Sequence, residues 1–150
     1  MPSPVDLRVV AGADFEPLLG LPYREKGSDW AGVNCWGLAV LAYRLLASIE
    51  LPTYAAAYGE IDAATRDDLA RLIRHEALLW VPVEAGEERP LDLISLCVAG
   101  AESHIAVVIE PGRMLHVRRG GFSLTERYTT PAWCRRILGF YRHADLAAHV

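Results

Sequence analysis

Cysteine is scarce in this sequence, and its three occurrences, at positions 35, 97 and 134, form neither an even set nor a C-x-x-C pair. That excludes a disulfide framework and a thiolate zinc cage. No run of apolar residues is long enough to cross a bilayer, so no membrane span is expected. Charge of one sign is not massed anywhere, and the formal net charge is only −4 over 150 residues, which leaves nucleic acid little field to hold. The first residues lack the basic stretch followed by an apolar run that marks a secretory signal, so synthesis in the cytoplasm without a signal peptide is expected. Repeats, low-complexity tracts and Ser/Gly linkers are also missing.

What is present is a chain that is 52% hydrophobic and 23% charged, enough to bury a core as one domain over residues 1–150. Leu38, Leu41, Ala42 and Leu45 recur at helical spacing after Asn34, a favoured N-cap, and Leu51-Pro52 marks where that helix can no longer run. Cys35 therefore falls in the first helical turn. A second helix is expected from Thr65-Arg66-Asp67-Asp68 followed by Leu69, Leu72 and Ile73. Beyond Pro82 the texture changes to short apolar runs at 92–98, 105–109, 114–117, 122–125 and 137–141, separated by Gly and Pro, which predict strands. Glu110-Pro111-Gly112-Arg113 makes a turn between two of them. Helices first and a sheet after is an α+β arrangement.

A thiol needs help to become a nucleophile near neutral pH, because little of it is thiolate there. A helix N-terminus, where unpaired amides and the macrodipole stabilise negative charge, is one source of that help, and Cys35 has it. A nearby imidazolium is the other. His104 and His116, at the two ends of the predicted hairpin, are the candidates to supply it.

Three segments in order, Gly20-Leu21-Pro22-Tyr23, Asn34-Cys35-Trp36-Gly37-Leu38 and His104-Ile105-Ala106-Val107-Val108, resemble the NlpC-type papain-like peptidases of the bacterial cell wall. Cys35-Trp36-Gly37-Leu38 and the closing run from Trp133 to Arg142 are similar to the phage tail-assembly branch of that family. The resemblance implies a papain-like fold with N-terminal helices on an antiparallel sheet of about five or six strands. It implies a peptidoglycan endopeptidase without cofactor or metal, acting on a stem peptide beside other tail-tip proteins and delivered in the virion. Cys35 would attack the scissile carbonyl, His104 would shuttle the proton, and His116, at the family's third position, would orient His104. The Cys35 amide and the Tyr23 hydroxyl would meet the oxyanion. Asn34 and Trp36 stand where cell-wall members carry Asp and Ser. Each is either a substrate contact or, respectively, a helix cap and part of a hydrophobic patch; Ser103 lies beside the base without a definite role. Alternatives are a structural tail-tip module with the same fold, or a papain-like amidase or acyltransferase.

Cys97 and Cys134 are expected to be buried in strands, and His75, His143 and His149 to lie on the surface. Parity adds a geometric demand. With Pro111 and Gly112 alone in the loop, paired residues would sum to 223, and His104 and His116 would point to opposite faces. An odd-numbered loop or a β-bulge is required to bring them to one face.

Overall fold

The computed structural model describes residues 14–52, 80–98 and 101–147, with the side chains of residues 101–103 undescribed. A short 3-10 turn, Glu16–Leu18, leads to a two-stranded ribbon, β1 (Ser28–Asp29) and β2 (Gly32–Val33), and then to helix α1 (Cys35–Ala47). Strands β3 (Trp80–Val83), β4 (Leu93–Val98), β5 (Ala101–Glu110), β6 (Arg113–His116), β7 (Leu124–Arg127) and β8 (Ile137–His143) follow, with a final turn of helix, α2 (Ala144–Ala147). The six strands form one antiparallel sheet in the order β3-β8-β4-β5-β6-β7. The helix expected over residues 65–73, like His75 and His149, lies outside the described residues. No helix among the described residues is long and apolar enough to cross a membrane.

The start of α1 is set locally. Asn34 has an extended backbone, and its side-chain oxygen accepts a hydrogen bond of 2.7 Å from the Gly37 amide, the bond that defines an N-cap. The helix stops at Ser48, which takes a left-handed conformation at φ 54°, so it ends four residues before Pro52. From Trp36 to Tyr43 every residue of α1 is buried. The expected stripe holds for Leu38, Leu41 and Ala42 and fails for Leu45, which is 43% exposed, because only the second half of the helix emerges from the core.

Gly37 shows how closely the first turn is held. A Cβ built on it would meet the Gly27 carbonyl oxygen at 1.8 Å. Gly to Ala inside a helix is normally stabilising by about 1 kcal/mol. Here Gly37→Ala is expected to destabilise instead, by about 1–3 kcal/mol of overpacking, read as a lower thermal midpoint.

Successive residues of a strand face opposite ways, and the sheet uses both faces. Leu93, Ile105, Val107 and Leu115 pack with α1 in one core. Ile94, Leu96, Ala106, Val108 and Met114 pack with Tyr128, Trp133 and Phe140 in a second. Strand β3, which carries Pro82, was not expected; it is an edge strand, the place in a sheet where proline is tolerated. His143, expected at the surface, is buried with Trp80, ring centroids 5.2 Å apart. Cys134 is exposed in the turn before β8 and Cys97 is half-buried, so neither is the core cysteine its apolar neighbours indicated.

Candidate active site

The hairpin carries the irregularity that parity demanded. Glu110 pairs with Arg113, then the register shifts, and Val108 pairs with Met114 and Val107 with Leu115. His104 and His116 consequently share a face, with His104 Nε2 2.9 Å from His116 Nδ1. On the neighbouring strand β7, Met114 pairs with Glu126 and His116 with Leu124, so Glu126 points to the same face. Its carboxylate lies 2.5 Å from His116 Nε2. Trp133 closes the cluster, stacked on His104 at 6.1 Å and 24° and edge-on to His116 at 5.1 Å. Neither Glu126 nor Trp133 was singled out in the sequence. The resemblance did point to the run from Trp133 onward, but no motif marks Glu126, whose place depends on the pairing of β6 with β7.

Burial, the adjacent His116 and the Arg118 cation push His104 down to about 3. His116 is lowered as well, by burial first; the Glu126 hydrogen bond and charge pull against this, and Arg118 adds to it. Both rings are therefore neutral at pH 7, and the imidazolium expected beside the thiol is not the resting state. An imidazole whose folded pKa lies below its unfolded value of about 6.5 stabilises the fold fully above that value. The contribution is lost as pH falls through the interval down to about 3. We expect the His104 ring resonances not to titrate between pH 8 and 5, and thermal stability to decline on acidification from pH 6.5. A His104 midpoint near 6.5 would contradict this.

Cys35, half-buried, opens α1 and packs against the first core. The bonds and ring contacts of the two imidazoles run to each other, to Glu126 and to Trp133 of the second core. The structure thus assembles the histidine pair on the sheet, and Cys35 stands at the capped start of α1. Asn34 is buried and its side-chain oxygen is committed to the cap. Trp36, read as a substrate contact or part of a hydrophobic patch, is in the core: its indole nitrogen donates to the Pro52 carbonyl at 2.8 Å and its ring meets Trp80 edge-on. Tyr23 is half-buried and bridges to Val33, two residues before Cys35, while its amide donates to the Gly121 carbonyl. Ser123 completes that seam, accepting from the Leu21 amide at 2.8 Å and donating to the Leu18 carbonyl at 2.5 Å. The Gly-Leu-Pro-Tyr segment therefore ties the start of α1 to the loop that follows His116. The Ser103 side chain is outside the described residues.

The sequence pattern of the NlpC/P60 family matches residues 20–142, most of the chain, including Tyr23, Cys35, His104, His116, Glu126 and Trp133. The chain belongs to the NlpC/P60 family. Solved structures agree on the fold. An NlpC/P60 family protein from Bacillus cereus ATCC 10987 superimposes with a TM-score of 0.66 at 22% identity, over 93% of this chain and 41% of that one. A similar-to-lipoprotein member of the family from Staphylococcus aureus subsp. aureus Mu50 gives 0.61 at 21%, over 95% and 43%. The NlpC/p60 domain of the peptidoglycan hydrolase SagA gives 0.57 at 16%, over 89% and 96%. This chain thus spans less than half of two of these relatives and corresponds to nearly all of the third. No curated protein matches the sequence significantly.

Proposed function

We propose that this NlpC/P60 domain is a cysteine hydrolase that cuts an amide bond in the stem peptide of peptidoglycan. The observation that carries the reading is the bonded pair His104–His116, twelve residues apart and brought onto one face by a bulge. Membership of a family that includes a peptidoglycan hydrolase domain supports the substrate class.

In the proposed reaction the Cys35 thiol gives its proton to His104 and its sulfur attacks the scissile carbonyl. The tetrahedral oxyanion is met at the first turn of α1, where backbone amides point outward, with the Tyr23 hydroxyl beside it. His104 then protonates the leaving amine, and water releases the acyl group from sulfur. The step requires the thiol to come within about 3–3.5 Å of a basic nitrogen of His104 in the substrate complex. Asn34 stands where cell-wall members carry Asp; being neutral and used as a cap, it offers a free stem-peptide amine no charge to pair with. The Cys35-Trp36-Gly37-Leu38 run supports placement in the phage tail-assembly branch, with the domain carried to the host wall in a tail beside other tail-tip proteins.

The test is selective alkylation. Iodoacetamide at pH 7 is expected to modify Cys35 faster than Cys97 and Cys134, with a rate that drops when His104 is replaced by Ala. Equal rates for the three cysteines, or no effect of His104, would sink the nucleophile assignment.

A further inference from the structure

We propose that Glu126 is a positioning residue that fixes the tautomers of both imidazoles, so that His104 presents its Nδ1 as the basic atom; this deepens the reading of His104 as the proton acceptor.

The chain of bonds runs inward from the carboxylate. An ionised carboxylate has no proton to donate, so the 2.5 Å contact with His116 requires a hydrogen on His116 Nε2. A neutral imidazole carries one hydrogen, which leaves His116 Nδ1 with a lone pair. That nitrogen lies 2.9 Å from His104 Nε2, so the hydrogen of this second bond must sit on His104 Nε2. His104 is then left with its lone pair on Nδ1. Without Glu126 the chain has no direction, since either ring could donate to the other.

The placement suits this work. The His116 side chain is 1% exposed and Glu126 is 41% exposed, so the carboxylate keeps solvent on one side while aiming an oxygen at a buried ring. Arg118 acts on both imidazoles, and its guanidinium, like that of Arg136, lies 5.7 Å from the Trp133 ring. Glu126 is the acidic group bonded to the pair. When Cys35 loses its proton, His104 Nδ1 gains it and the two inner hydrogens stay where they are. The new positive charge is then met through two hydrogen bonds by the carboxylate, the arrangement that orients and steadies an imidazolium in a catalytic triad.

Tautomers are read directly from two-bond proton–nitrogen spectra of 15N-labelled protein. In the wild type at pH 7, both His104 and His116 are expected to carry hydrogen on Nε2 and none on Nδ1. In Glu126→Leu, His116 should become a tautomer mixture, and kcat on peptidoglycan fragments should fall ~100-fold with KM little changed, less than the loss when a triad carboxylate is replaced. Glu126→Gln keeps an acceptor oxygen and should recover most of the tautomer bias and part of the rate. The proposal is overturned if wild-type His104 carries its hydrogen on Nδ1, or if Glu126→Leu leaves both rings in the Nε2–H form. The spectra do not depend on turnover. A protein with the expected tautomers and no Cys35-dependent product would refute the hydrolase reading alone, and the reverse result would refute only the role of Glu126.

Discussion

On the proposed mechanism, Cys35→Ala is expected to abolish release of peptide fragments from peptidoglycan, a loss of at least ~10⁴ in kcat/KM, because Cys35 is the group that forms the acyl intermediate. His104→Ala should lose a comparable factor, and the double variant should be no worse than either. Nucleophile and base act as one unit, so removing the second member of a disabled pair costs little more. Mass spectrometry of digested muropeptides gives the readout and also identifies the bond cut. Product that persists in Cys35→Ala would rule out covalent catalysis at this thiol. The fold of Cys35→Ala should be intact, since Cys35 is half-buried at a helix start and its replacement removes one atom from the margin of the core.

Trp133→Ala carries the other large effect, and it falls on stability and chemistry together. The ring is 5% exposed and lies against both imidazoles, with the Arg118 and Arg136 guanidiniums each 5.7 Å from its centre. Truncating a buried tryptophan removes about 3–5 kcal/mol, which for a marginally stable domain is a large share of the total. Chemical denaturation should show the lower midpoint. The cavity would also admit water to His104, whose depressed pKa has burial as its first cause, so His104 should titrate nearer its ordinary range in any folded fraction. Trp133→Phe keeps most of the apolar surface and should lose much less. A Trp133→Ala protein as stable as the wild type, with His104 still neutral at pH 5, would show that the ring is not what keeps the pair dry.

Local signals carried a good part of this structure. The helix start at Cys35 was legible because an N-cap acts over three residues: Asn34 and Gly37 make the bond within one turn. Strand runs were legible where apolar residues clustered, as at β4, β5 and β8. The irregularity in the β5–β6 hairpin was legible from parity once the resemblance put both histidines in one site, because side chains alternate along a regular strand and a two-residue loop would have turned the rings to opposite faces. Trp36 misled for the opposite reason. Its position beside the cysteine pointed to a substrate contact or a hydrophobic patch, but it opens the run Trp36–Tyr43 in which every residue is buried, and its ring packs against Trp80.

One nucleophile candidate at a capped helix start, a pair of histidines on consecutive strands, and the α+β order of elements could be read along the chain, since each depends on contacts between near neighbours. Long-range packing is what inserts β8 between β3 and β4, folds Trp133 over both imidazoles, and stands Glu126 behind His116. Strand order and cross-strand register are selected by burying two apolar faces of one sheet at once. That is a property of the whole chain, and no short stretch of residues contains it.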